Sequence, residues 1–180
     1  FDITATPNPQ AGEGLEYAGV HTLSAPVGNC TKPLYFSGEI SIPHDKDFVK
    51  STSSDLRIIG GETLLKGKAL LSHGSNSGAN ITVSGGVLKG DENPTSDPYV
   101  YWGGWNGTIN LAVNGTGRWE AAIKPYGKSG SIGKYDVTIT VSEKGVFAPS
   151  ALAFNEGSDT TASGARLVMN GGTFNVSGTP

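Results

Sequence analysis

The sequence predicts an all-β protein, an antiparallel β-sandwich of the immunoglobulin-like kind, from its composition, its alternating pattern and its glycine pairs. The 27 glycines and 10 prolines make up about a fifth of the 180 residues, and charged residues reach only 16%, where about a quarter is usual. Glycine is too free in conformation to favour a helix, and proline lacks the N–H that a helix interior needs. We therefore expect many short strands and no substantial helix.

Apolar residues recur at every second position in several stretches, which is typical of strands with one buried face. The side chains predicted to face inward are Phe36, Ile40, Ile42, Ile109, Leu111, Val113, Tyr135, Val137, Ile139 and Val141. A chain of this length can bury them in one core, so we expect a single sandwich domain over residues 1–180.

Four short glycine motifs lie between strand-like runs: Gly60-Gly61, Gly85-Gly86, Asn114-Gly115 and Gly171-Gly172. A tight hairpin turn needs positive φ at its centre, which glycine adopts without steric cost, so each motif predicts a hairpin. The last of these predicts an extra or complementing hairpin within residues 143–180.

A β-solenoid is a minor alternative to the sandwich. Residues 82–87 and 170–175 are similar in sequence, and self-similarity is typical of stacked repeats. The unequal spacing of the strand-like runs favours the sandwich.

Charge and hydropathy exclude two classes of partner. The formal net charge is −3 and no basic run is present, so we expect no nucleic acid. No apolar stretch approaches the roughly 20 residues that span a bilayer, so we expect no direct membrane insertion.

The sequence also indicates a secreted protein, extracellular or on the cell surface. It starts at Phe1, as a mature chain does after removal of a signal peptide, although a chain trimmed at its N-terminus would start in the same way. Asn-x-Ser/Thr occurs at Asn29, Asn80, Asn106, Asn114 and Asn175. These five sites are glycan acceptors in a eukaryote, or else they mark turns that lead into strands.

No motif of enzyme chemistry is present, so we expect no catalytic residue, no cofactor and no metal. The chain lacks a nucleophile elbow of the Gly-x-Ser-x-Gly kind. His21, His44 and His73 have no metal-ligand spacing. Cys30 has no intrachain partner and is either a small buried hydrophobe or the remainder of a lost pair.

Aromatic residues are concentrated in residues 99–107, which hold two of the three tryptophans and two of the six tyrosines. Flat rings bind the apolar faces of sugars, and neighbouring polar groups bind their hydroxyls. The predicted glycan-binding residues are Tyr99, Tyr101, Trp102 and Trp105 as rings, and Asp97 and Asn106 as hydrogen-bonding groups. The alternative is that the tryptophans pack in the core.

Residues 133–142, where a glycine and a tyrosine introduce an alternating Val/Thr/Ile run, resemble the closing strand of chaperone–usher fimbrial subunits. Residues 1–6 look like the strand that such subunits donate to a neighbour. The resemblance implies an incomplete immunoglobulin-like sandwich completed by β-strand addition between subunits. The chain departs from the family in its single Cys30 and in the 38 residues that follow Ser142.

The expected function is non-enzymatic surface adhesion or a fimbrial subunit, with a glycan or host-surface receptor and neighbouring subunits as partners. A carbohydrate-binding module of a secreted enzyme is the alternative, and a small glycosidase is a weaker one.

Overall fold

The computed structural model describes residues 6–8, 14–23, 33–42, 48–49, 55–66, 69–70, 79–91, 99–102, 106–125, 134–152 and 164–176. Every regular element in these ranges is a β-strand. The strands are β1 (Thr6–Asn8), β2 (Gly14–Tyr17), β3 (Val20–Thr22), β4 (Leu34–Phe36), β5 (Glu39–Ile42), β6 (Phe48–Val49), β7 (Asp55–Leu65), β8 (Ala69–Leu70), β9 (Ala79–Gly90), β10 (Tyr99–Trp102), β11 (Asn106–Val113), β12 (Arg118–Trp119), β13 (Ala122–Pro125), β14 (Lys134–Phe147) and β15 (Gly164–Phe174).

The strands form two sheets that grow in chain order. In the large sheet β2, β4, β7, β9, β11, β14 and β15 are successive neighbours, each parallel to the next. The small sheet contains β6, β8, β10 and β13, also parallel and in chain order. The chain therefore winds in stacked coils that contribute to both sheets, which is a parallel β-solenoid.

The antiparallel, immunoglobulin-like sandwich predicted from the sequence is wrong. Among the described strands only β1 pairs antiparallel, with β2. Alternation misled the prediction because parallel sheets are usually covered on both faces and then lose the alternating pattern. In a solenoid each parallel strand has one inner and one outer face, so the pattern survives.

The hairpin predictions fail for a related reason. Gly60-Gly61, Gly85-Gly86 and Gly171-Gly172 lie inside β7, β9 and β15, which turn a corner there and run on. In the described part of residues 143–180, the end of β14 pairs parallel with β15 and no hairpin forms. The predicted positive φ is confirmed, for example +62° at Gly61 and +70° at Gly86.

These corners stack directly on one another. A Cβ added at Gly86 would clash with the backbone of Gly60 and Gly61, so the coils approach too closely for a side chain there. In the β14 coil a residue other than glycine, Glu143, has positive φ (58°), and it pairs with Gly171. Its carboxylate accepts a hydrogen bond of 2.9 Å from the Gly115 N–H.

The core consists of columns of side chains, with one residue from each coil. The first column is Leu34, Leu56, Ile81, Leu111, Ile139 and Leu167, the second is Phe36, Ile58, Val83, Val113, Val141 and Met169, and the third, beyond the corner, is Ile40, Thr63, Leu88, Trp119, Phe147 and Phe174. Neighbouring coils lie about 4.8 Å apart, so like residues pack tightly on like. Apart from the residues of β15, these side chains are buried.

The inward-facing residues predicted from alternation are confirmed as buried wherever their side chains are described. Tyr135 is the exception, because its side chain lies outside the described set. Trp119 is fully buried in the third column, where its ring lies 5.8 Å from that of Phe147.

Candidate functional site

The outer face of the large sheet holds a hydrogen-bonded column of polar side chains. Asp55, Asn80 and Asn110 occupy paired positions on β7, β9 and β11. The Asn80 Nδ2 donates to Asp55 Oδ1 at 2.9 Å, and the Asn110 Nδ2 donates to Asn80 Oδ1 at 2.8 Å. We call these three residues the Asn column. Its side-chain hydrogen bonds link three successive coils, in addition to the backbone pairing of their strands.

The position of the Asn column follows from strand alternation. Its members immediately precede Leu56, Ile81 and Leu111, which lie in the first inner column. Successive residues of a strand face opposite sides of the sheet, so each column member lies on the outer face. The same outer position is occupied by Thr138 on β14 and by Arg166 on β15.

Arg57 anchors one end of the Asn column. Its Nη2 donates to Asp55 Oδ2 at 2.9 Å, and its guanidinium carbon lies 5.6 Å from the centre of the Tyr35 ring. The hydrogen bond to Asp55 raises the pKa of Arg57 above its ordinary value, while burial acts in the opposite direction. The guanidinium therefore stays charged and holds the Asp55 carboxylate in place.

The two asparagines of the Asn column have more hydrogen-bonding groups than the bonds along the column use. An asparagine amide carries two protons on nitrogen and two lone pairs on oxygen, and each bond along the column uses one of these. Asn110 is exposed, and Asn80 and Asp55 are half-buried. The column is thus a row of fixed donors and acceptors at the surface, with one residue about every 4.8 Å along the coils.

For part of the predicted glycan site, the structure describes the backbone but not the side chains. Tyr99, Tyr101 and Trp102 lie in β10, in the small sheet between β8 and β13. Asp97 and Trp105 lie outside the described residues. Asn106 begins β11, and its side chain, like those of the three β10 aromatics, is outside the described set.

The aromatic segment and Asn110 of the Asn column belong to one coil. Three residues separate the end of β10 from the start of β11 at Asn106. Along β11 the positions 106, 108 and 110 alternate with the buried Ile109 and Leu111. The predicted aromatic residues of β10 and Asn110 therefore lie on strands that follow one another in the chain.

Several other sequence features have structural roles. Trp119 belongs to the core, where its Nε1 donates to the Ala121 carbonyl at 2.9 Å. The Asn80 amide, part of a predicted glycosylation sequon, is held on both sides within the Asn column.

Over the described ranges, no group of three or more His, Cys, Asp or Glu residues is placed to hold a metal ion. Nor do those ranges contain a helix long and apolar enough to cross a membrane.

The chain matches no family model, and no curated protein or solved structure is significantly similar to it.

Sequence reasoning missed the Asn column, although a signal for it is present. A polar residue, an apolar residue, any residue and a second apolar residue recur at positions 55–58, 80–83, 110–113, 138–141 and 166–169. Each recurrence begins with a residue at the outer position of the Asn column. The repeats differ in spacing, which hides them from a search at fixed period.

Proposed function

We propose that this protein is a non-enzymatic adhesion module, secreted or displayed at a cell surface, that binds a glycan along the outer face of its large sheet. The observation that carries the proposal is the Asn column, a hydrogen-bonded row of amide and carboxylate groups on the outer face of the large sheet. A polysaccharide also presents polar groups at regular intervals, so a regular row of donors and acceptors suits it.

The aromatic segment supplies the second part of the proposed site. Sugars are bound by stacking on rings together with hydrogen bonds to hydroxyls. Tyr99, Tyr101 and Trp102 lie on the same coil as Asn110, and Trp105 lies between them in sequence. In this proposal the rings hold one end of the ligand, with Asp97 and Asn106 beside them, and the Asn column orients the remainder.

The test is a glycan array on the wild-type protein, followed by affinity measurements on Trp102→Ala, Trp105→Ala and Asn110→Ala. We expect loss of a stacking ring to weaken binding by about 1–2 kcal/mol, or roughly 5- to 30-fold. Loss of the exposed amide should have a smaller effect of about 1 kcal/mol. Lys89→Ala is the matched control, because Lys89 pairs with Glu62 beyond the glycine corner.

The outcomes separate the parts of the proposal. Binding that survives both tryptophan substitutions in folded protein would remove the aromatic segment from the site. Binding that survives Asn110→Ala unchanged would remove the Asn column. No binding to any glycan would overturn the function. Preference for structural polysaccharides over cell-surface glycans would favour a carbohydrate-binding module of a secreted enzyme.

A further inference from the structure

In the described part of the chain, the coil that contains β15 has an uncovered inner face. Four of the six large hydrophobic residues exposed in the described part of the chain lie there: Leu167 and Met169 at 43%, Phe174 at 38% and Val176 at 37%. Leu167, Met169 and Phe174 are the final members of the three inner columns. Within the described residues β15 pairs only with β14, so its outer edge also carries unpaired backbone groups.

The opposite end of the solenoid is protected against strand pairing. Its edges are β1 and β3, each only three residues long. β1 contains Pro7, which has no N–H to donate to a neighbouring strand. Short edges and proline are the usual devices that prevent pairing between molecules. The β15 edge is eleven residues long and contains no proline.

We infer that two copies of this chain associate end to end through β15, with their β15 strands antiparallel about a two-fold axis at Val168. A head-to-tail arrangement would have to use the protected end, whereas a two-fold arrangement uses the open edge twice. A two-fold axis perpendicular to the sheet also keeps the inner face of both molecules on the same side. The exposed ends of the first and second inner columns, Leu167 and Met169, then meet those of the other copy.

The sequence of β15 is self-complementary in this register. Val168 lies opposite Val168 of the second copy, and Leu167 lies opposite its Met169 on the inner side. On the outer side Arg166 lies opposite Asn170, whose amide oxygen can accept from the guanidinium. The two Arg166 residues lie four positions apart, about 13 Å along the strand, so like charges do not face each other.

Cysteine substitution at the proposed axis tests the register. Only a two-fold arrangement brings residue 168 of one molecule opposite residue 168 of the other. The two Cα atoms are then about 4.5–5.5 Å apart, which is within disulfide range. In the full chain with Cys30→Ser, we expect Val168→Cys to give a disulfide-linked dimer as the main product of mild oxidation. Arg166→Cys is the matched control and should remain largely uncrosslinked.

A charge exchange tests the same contact without cysteine. Asn170→Arg places an arginine opposite Arg166 twice in each dimer, and we expect the dimer dissociation constant from sedimentation to rise roughly tenfold. Adding Arg166→Asp to that variant should restore association. Thermal melts confirm that each variant is folded.

A wild-type chain that sediments as a monomer at every concentration would overturn the inference. Equal crosslinking of the two cysteine variants would overturn the two-fold register and with it the proposed dimer. The inference does not rest on the proposed function, because a monomer can still bind glycan and a dimer can form without doing so.

Discussion

The inner and outer faces of the large sheet are formed by the same strands but are built in different ways. Inside, each column repeats apolar residues of similar shape, as in Leu56, Ile81 and Leu111. Outside, the neighbouring column changes from Asp55 through Asn80 and Asn110 to Thr138 and Arg166. Stacking therefore fixes the register through the inner side chains, whereas the outer side chains are free to differ from coil to coil.

The largest effect is expected where an inner column carries its largest side chain. Trp119→Ala removes a fully buried ring and should lower the free energy of unfolding by about 3–5 kcal/mol. Urea denaturation monitored by circular dichroism measures this loss. Arg118→Ala is the matched outer control, since its pair with Glu120 is exposed and should contribute less than about 1 kcal/mol. Equal losses for the two variants would contradict the division between the faces.

Stability should be nearly as sensitive to substitution at the glycine corners of the coils. Gly86→Ala combines a left-handed backbone with a clash against the coil below and should cost about 2–5 kcal/mol. Gly19→Ala is the control, because Gly19 also has positive φ but a Cβ there meets nothing within 4 Å. It should cost only about 1–2 kcal/mol. The difference in unfolding midpoint between the variants measures the effect of close stacking alone, and no difference would show that the corners do not stack.

The Asn column should contribute less to stability than the inner columns. Asn80→Ala removes two side-chain hydrogen bonds and should cost about 1–2 kcal/mol, whereas Asn110→Ala removes one and should cost about half as much. A double-mutant cycle on the unfolding free energies should show coupling, because the two residues share a bond. Additive losses would mean that the bond between them contributes nothing.

The smallest expected effect is a gain in stability, at an inner position that holds a polar side chain. Thr63 lies in the third column between Ile40 and Leu88, and its buried Oγ1 has no hydrogen-bond partner among the residues that the structure describes. Thr63→Val keeps the shape and removes the unpaired hydroxyl, so it should raise the free energy of unfolding by about 1 kcal/mol. The neighbouring outer variant Glu62→Gln is the control and should change stability by less than half of that. A loss of stability in Thr63→Val would show that the hydroxyl is satisfied.

Local features of the fold could be predicted because they depend on neighbouring residues. Alternation places Ile109, Leu111 and Val113 correctly in the core, since the two-residue period of a strand holds in any sheet. The positive φ of Gly61 and Gly86 is likewise a local property. Strand direction is not a local property, because parallel and antiparallel strands with one buried face have the same alternation of apolar and polar residues.

The winding of the chain was hidden by unequal coils. In the first inner column the residues from Leu34 to Leu167 are separated by 22, 25, 30, 28 and 28 positions. Insertions between strands change these lengths at little cost, because connecting segments tolerate extra residues. Register is set by contacts between coils, so Asp55, Asn80 and Asn110 could not be brought together from the sequence pattern that the prediction used.

The parallel, in-register stacking of the coils is tested most directly by a designed disulfide across two of them. Thr82 and Ala112 are paired neighbours on the outer face of β9 and β11, about 4.8 Å apart. In Cys30→Ser protein, the double variant Thr82→Cys/Ala112→Cys should form an intrachain disulfide in nearly all molecules. Thr82→Cys/Thr140→Cys, which skips one coil, should form none. Equal bonding in the two variants, or bonding only in the second, would contradict the stacked solenoid.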